Sequence, residues 1–221
     1  MADNINAQQY AQLKAEAAKY KQEEQALRID ALQHIKEKEG NGKEGRPFYA
    51  YDDDTGARTI GYGMNIDEEH NREWLIGKVG EEEFQNLYDG LSQISPELAE
   101  LGTIYNIDIA FDEARKDLKA YDKKPYDVKK VVLDMYYNIG GGINDEDSMP
   151  KFIEAIDKND YYQASQDLKY NNPTEGNMSL TGYYTSTGDR ARENYAVLEA
   201  YPRIEETDDG LMFHFHDKYS N

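Results

Sequence analysis

Glu39, Asp53 and Thr59 are the residues whose types and spacing suit chemistry best. Cleaving a glycosidic bond takes one carboxylic acid to protonate the leaving oxygen. It also takes a carboxylate on the opposite face of the sugar, which attacks or activates water. Glu39 closes a helical segment, with Ile35 and Leu32 one and two turns back on its face, and such apolar neighbours favour a protonated carboxyl. Asp53 sits in a polar turn and should stay ionised. Thr59 lies on the returning strand, where its hydroxyl can share a water with Asp53. Gly61 and Gly63 carry no side chains, which would let the backbone approach a substrate closely.

Each residue alone has a plainer reading. In a chain with 44 acidic residues, a single Glu or Asp is normally a solvated surface group. Asp-Asp-Asp-Thr-Gly is in itself good turn chemistry. The signal is the order: a helix ending in Glu39-Gly40, then Tyr51-x-Asp53-x-x-Gly56-x-x-Thr59-Ile60-Gly61-Tyr62-Gly63.

The elements that must position these residues can be read from periodicity. Tyr10, Leu13, Ala17, Tyr20, Leu27, Ala31, Leu32 and Ile35 fall mostly three and four apart, which predicts one helix over 7–39. Glu24 and His34 break a strict heptad, so an amphipathic arm on its own domain is the preferred reading over a coiled coil. Residues 40–45 read as a Gly-rich loop. Phe48–Tyr51 and Ala57–Ile60 read as a hairpin around Asp54-Thr55-Gly56. Helical patterns follow at 67–77, 80–92, 107–121, 126–139, 149–158, 160–169 and 189–201. The segment 126–139 places Val128, Val131, Val132, Met135 and Ile139 on one face, as a central buried helix would. The tail 204–221 joins an acidic stretch to Leu211-Met212-Phe213 and could dock on the domain or on a partner.

Composition limits the function. The chain has 221 residues, is 38% hydrophobic and 12% aromatic, and can bury a full core. With 44 acidic against 25 basic residues its formal charge is −19, which disfavours nucleic acid as a partner. It has no cysteine, hence no disulfide framework and no thiolate metal site. His214 and His216 make at most half a metal site, and Asp52–Asp54 lack the ligand order of a calcium loop. No secretion signal and no membrane span is expected.

Taken together, these motifs over about residues 30–203 resemble the phage-type lysozymes, the T-even-like muramidases of glycoside hydrolase family 24. Val131–Gly142, with Asn138-Ile139-Gly140, looks like the family's central helix. Phe152–Ile156 with Asp160–Ala164 is similar to its paired short helices, and Thr187–Arg192 to its late Arg motif. The resemblance implies an α+β, mostly α fold: a small β-hairpin lobe and a helical lobe around a central buried helix. It divides the chain into a helical arm (1–30), a catalytic domain (31–203) and a tail (204–221). Glu39 would be the general acid, Asp53 the base-side carboxylate and Thr59 the water-positioning hydroxyl, with inversion and without metal or cofactor. Tyr51, Gly61, Asn138 and Arg190 would contact or support substrate. Tyr136, Tyr137, Tyr183 and Tyr184 could stack on sugars but read better as packing.

Two departures stand out. Met64-Asn65 replaces a frequent His after Gly-Tyr-Gly, which should change how the hairpin is supported. Glu44, spaced from Tyr51 as in compact relatives, is the alternative acid. Glu39 is preferred because a general acid must be held in place and a loop of glycines holds poorly. The implied reaction is cleavage of the β-1,4 bond between N-acetylmuramic acid and N-acetylglucosamine in bacterial peptidoglycan. The rivals are a non-catalytic lysozyme-like virion protein and a lytic transglycosylase. A wall is itself polyanionic and would repel a chain of this charge. That favours a tail-associated virion protein, delivered through its helical arm or tail, over an enzyme waiting in the host cytoplasm.

Overall fold

The spacing over 7–39 gives one unbroken helix, α1 (Ala7–Glu39). No proline interrupts it, and Lys36 and Lys38 in its last turn oppose the negative end of the helix dipole. Its exposed stretch 17–22 gives way to Leu27 and Ile35, each only 2% exposed. The structure, a computed structural model, describes residues 7–39, 48–53, 55–145, 148–172, 177–207 and 210–214. The described chain is α+β and mostly helical, and it forms two compact units, Met1–Ile107 and Asp108–Asn221.

In the first unit a small antiparallel sheet runs in the order β1 (Tyr51–Asp52), β2 (Arg58–Ile60), β3 (Met64–Asn65). Tyr51 pairs with Thr59 and Asp52 with Arg58, while Thr59 and Ile60 pair onward with Asn65 and Met64. Ile60, Met64 and Ile66 pack with Leu75 of α2 (Glu69–Val79), Phe84 and Leu87 of α3 (Glu81–Tyr88), and Ala99 of α4 (Pro96–Asp117). Burying side chains of this size is worth about 1.5–3 kcal/mol each. Met64 replaces polar support with packing: a Cβ on Gly102 would stand 3.0 Å from its Sδ, so the mid-helix glycine makes its room.

Several boundaries differ from the sequence reading. The first strand begins at Tyr51, not Phe48, because the Phe48 carbonyl turns to accept from the Ile94 amide at 2.8 Å. Helix 67–77 becomes α2 at 69–79, since Asp67 is engaged instead by the Arg58 amide and the Tyr88 hydroxyl, both at 2.8 Å. Helix 80–92 stops at Tyr88, two residues before Gly90 with its φ of +71°. Helix 107–121 is in fact α4, which starts at Pro96 behind Ser95. The Ser95 hydroxyl accepts from the Leu98 amide at 3.2 Å.

In the second unit α5 (Tyr126–Ile139) matches the expected central helix, with Val128, Val131, Val132, Met135 and Tyr136 buried. It ends at Gly140, whose φ is +77°. Then come α6 (Pro150–Asp157) and α7 (Tyr161–Lys169), the latter capped by Asp160, which accepts from the Gln163 amide at 3.0 Å. The sequence reading lacked the antiparallel pair β4 (Tyr170–Asn172) and β5 (Asn177–Leu180), and also α8 (Gly182–Ser186). Helix α9 (Asp189–Glu199) precedes a hairpin of β6 (Arg203–Thr207) and β7 (Gly210–His214), formed by the segment read as a tail. Lys124 is buried and donates to the carbonyls of Ile156 and Asp157 at 2.7 and 3.0 Å, which caps α6.

Candidate active site

The β1–β2 connection is folded around the Asp53 side chain. Its Oδ1 accepts from the Thr55 amide (2.8 Å), the Thr55 hydroxyl (2.6 Å) and the Ala57 amide (3.0 Å). The backbone closes the same turn, with the Asp53 amide donating to Ala57 and the Gly56 amide to Asp53, both at 3.0 Å. Gly56 supplies the left-handed φ of +87°. These donors, the Thr55 hydroxyl foremost, hold the Asp53 carboxyl below the usual carboxylate range. Asp53 is therefore an anion at neutral pH.

The second oxygen, Oδ2, faces Thr59. The Thr59 hydroxyl is 3.4 Å from Asp53 Oδ2 and also 3.4 Å from the Ala57 carbonyl. Both contacts are long for a hydroxyl donor, and one proton cannot serve both. Thr59 is 3% exposed, held between Tyr51 and Asn65 in the middle strand. Its position relative to Asp53 is thus set by the ladder and not by a tight mutual bond.

Glu39 comes to the same sheet from α1. A Cβ on Gly63 would lie 3.5 Å from the Glu39 carboxyl carbon and 3.7 Å from Oε2. One turn earlier Lys36 pairs with Glu100, and its ammonium lies 5.6 Å from the centre of the Tyr62 ring. Helix end and β2–β3 turn are therefore fixed on each other. Of the two glycines, Gly63 gives the turn its φ of +90°, and a Cβ on Gly61 would be 3.2 Å from that of Ala99. Gly61 is buried, whereas the sequence reading used both glycines for approach of substrate. The alternative acid Glu44 lies outside the described residues.

Glu39, Tyr51, Asp53, Thr59 and Gly61 belong to the first unit, Asn138 and Arg190 to the second. Arg190 is 5% exposed, and its Nε donates to Asp134 Oδ1 at 2.8 Å. The Asn194 amide donates to Asp134 Oδ2 at 2.7 Å and to the Tyr183 hydroxyl at 2.9 Å. Arg190 is thereby a buried tie of α9 to α5. Asn138 is exposed and lines an open cavity of about 640 Å³ with Met149, Asp167, Asn171, Thr181 and Ser186. Tyr136 is core, and Tyr183 belongs to the Asp134 network. His214 lies on β7, and His216 is outside the described residues.

Sequence reasoning missed Asp134, Asp167 and Arg58. Arg58 donates to the Tyr88 carbonyl (2.8 Å) and to Asp52 (2.9 Å), on the strand positions just before Thr59 and Asp53. The alternation of β2 would have placed Arg58 opposite Thr59, had the strand been read residue by residue. Among the described residues no helix is long and apolar enough to cross a membrane. The sequence matches no protein-family model and no curated protein.

Proposed function

We propose that this chain is a muramidase, hydrolysing the β-1,4 bond between N-acetylmuramic acid and N-acetylglucosamine by general acid/base catalysis with inversion. The observation that carries the reading is the Asp53–Thr59 arrangement: an ionised carboxylate with one oxygen saturated by three donors and the other open towards a loosely engaged hydroxyl. A water placed there donates one hydrogen to Asp53 Oδ2, accepts from Thr59, and points its lone pair at the anomeric carbon. Glu39 protonates the leaving oxygen as the C–O bond breaks, and the water's proton passes to Asp53 as the new bond forms. Proton exchange with solvent then restores both carboxyls. A transglycosylase needs no such second carboxylate, so the engaged pair favours hydrolysis.

The setting we propose is tail-associated in a phage particle. The exposed stretch 17–22 of α1 and the C-terminal β6–β7 hairpin are the surfaces that would attach to other virion proteins. Detection of the protein in purified particles would support this setting, and its confinement to the host cytoplasm would replace it.

Turbidity loss and new reducing ends on purified walls test the activity. Glu39→Gln and Asp53→Asn should each abolish it, while Glu44→Gln should not. Full lysis by the Glu39→Gln protein would reject Glu39 as the acid, and an anhydro sugar product would reject hydrolysis.

A further inference from the structure

Arg58 carries a fork of donors that the proposed chemistry does not touch, one residue before Thr59 on β2. Its side chain is 20% exposed and reaches two acceptors at once. Nε donates to the Tyr88 carbonyl at the end of α3 (2.8 Å), and Nη1 donates to Asp52 Oδ1 on β1 (2.9 Å). Tyr88 closes a circuit with the same strand. Its ring centre lies 5.9 Å from the guanidinium carbon, and its hydroxyl donates to Asp67 Oδ1 (2.8 Å). Asp67 Oδ2 in turn accepts from the Arg58 amide (2.8 Å). Residue 58 is thus held by its backbone and its side chain together.

The pairing of β1 with β2 gives this hold its importance. It spans two residue pairs, Tyr51 with Thr59 and Asp52 with Arg58. At the second pair both backbone groups of Arg58 are engaged away from β1: the amide goes to Asp67, and the carbonyl accepts from the Ile66 amide at 2.8 Å. In an antiparallel ladder such a pair brings side chains close without exchanging backbone bonds. The side-chain bond between Arg58 and Asp52 is therefore what ties β1 to β2 at this position.

Asp53 and Thr59 directly follow these two residues in the chain. Asp53 Oδ1 is locked into its own turn, and the Thr59 hydroxyl stands 3.4 Å from Oδ2, too far to hold the two side chains together. Their relative setting must come from the strands that carry them, and a ladder of two pairs is marginal by itself.

We infer that Arg58 is a positioning residue: by bridging the end of α3 to Asp52, it fixes where Asp53 Oδ2 stands against the Thr59 hydroxyl. What it positions them for rests on the muramidase reading, in which those two groups align the attacking water. The bridge needs a planar fork with separate donors. A lysine ammonium, one point on a flexible stem, cannot repeat it.

Initial rates on purified walls, taken well below the melting temperature, test this with Arg58→Lys, which keeps the charge and loses the fork. Its kcat should fall about tenfold with KM unchanged, part of the roughly 10²-fold that a 1 Å misplacement costs. In a Thr59→Val background the same substitution should cost less than about threefold, because the pair it positions is already broken. A loss of about tenfold in both backgrounds, or none in either, would overturn the inference, since a merely structural role is blind to Thr59.

Relaxation of the Thr59 methyl group by NMR reads the same positioning without a substrate. Its order parameter should drop in Arg58→Lys, and an unchanged one would overturn the inference. Walls left intact by the parent protein would remove the muramidase reading, and the methyl order would then decide the positioning alone. If the Arg58→Lys protein does not fold, exposed Asp52 supplies the second test. Asp52→Ala should lower both methyl order and kcat, and Asp52→Asn, which restores an acceptor for Nη1, should recover them. An Asp52→Ala protein with the parent's methyl order and rate would overturn the inference equally.

Discussion

The Glu39 carboxyl stands beside Gly63: a Cβ on the glycine would lie 3.5 Å from the glutamate's carboxyl carbon. This proximity, with the Lys36 ammonium near the Tyr62 ring, sets the end of α1 against the β2–β3 turn, so the proposed acid and the proposed base border one small sheet. The glycine's φ of +90° matters more than the space around it, since 3.5 Å is an ordinary carbon contact.

Gly63→Ala should therefore destabilise the protein by about 1–2 kcal/mol, the cost of a left-handed L-residue. Wall cleavage should fall through kcat with KM nearly unchanged. Thermal denaturation and initial rates check both, and unaltered stability would contradict the assigned backbone conformation.

Thr59→Val keeps the buried shape and deletes the hydroxyl. Turnover should fall by about 10²-fold, at the lower end of what a positioned proton-transfer element contributes, with little change in melting temperature. Thr59→Ser should retain most of the rate. A valine protein as active as the parent would take the hydroxyl out of the mechanism.

Asp53 is held more acidic in the folded chain than in the unfolded one. Its contribution to stability is present above the unfolded value of about 4 and is lost as pH falls through the lower folded value. The stability gap between the parent and Asp53→Asn should be constant from pH 7 to 5 and narrow below pH 4. Denaturant titrations at stepped pH measure it, and a gap that widens on acidification would reverse the assigned direction.

Asp167 has the opposite sign. Its folded value of about 6 lies above the unfolded one, so folding loses stability as pH rises between about 4 and about 6, and the penalty is constant beyond. The Asp167→Asn protein should gain on the parent across that window. Melting temperatures compared at pH 4 and pH 7 test this, and parallel curves would show that the carboxyl is not burdened by burial.

Arg190 serves architecture. Arg190→Ala leaves Asp134 buried without its cation and should cost about 3–5 kcal/mol, seen as a lower denaturant midpoint. Replacing both partners with apolar residues of similar volume should recover much of it. A variant of native stability but raised KM would instead make Arg190 a substrate contact.

Legibility of the sequence followed the strength of local pattern. Helix α5 was readable because its apolar face repeats cleanly and Gly140 ends it. The first turns of α4 were not, since Leu98, Ala99, Leu101 and Ile104 spread around the helix and Pro96 suggested a break. The two-residue strand β3 is too short for any alternation to show. The nearness of Asp53 to Thr59 was readable because a hairpin brings the positions on either side of its turn together, and the β1–β2 ladder then sets their separation. That Gly63 faces Glu39 depends on a contact between segments far apart in the chain, which no local pattern encodes. Asp167 was invisible because an acidic residue on a short helix resembles any solvated one until its burial is known.

The division of labour between the two oxygens of Asp53 has one more consequence. An amide placed there has no freedom of orientation: its oxygen must receive the two amides and the hydroxyl that Oδ1 receives now, so its NH2 must face Thr59. The hairpin survives, yet the atom that would draw a proton from water becomes one that offers its own. On the proposed function, the Asp53→Asn chain is then a lectin: it keeps its grip on the polymer and has lost the means to cut it.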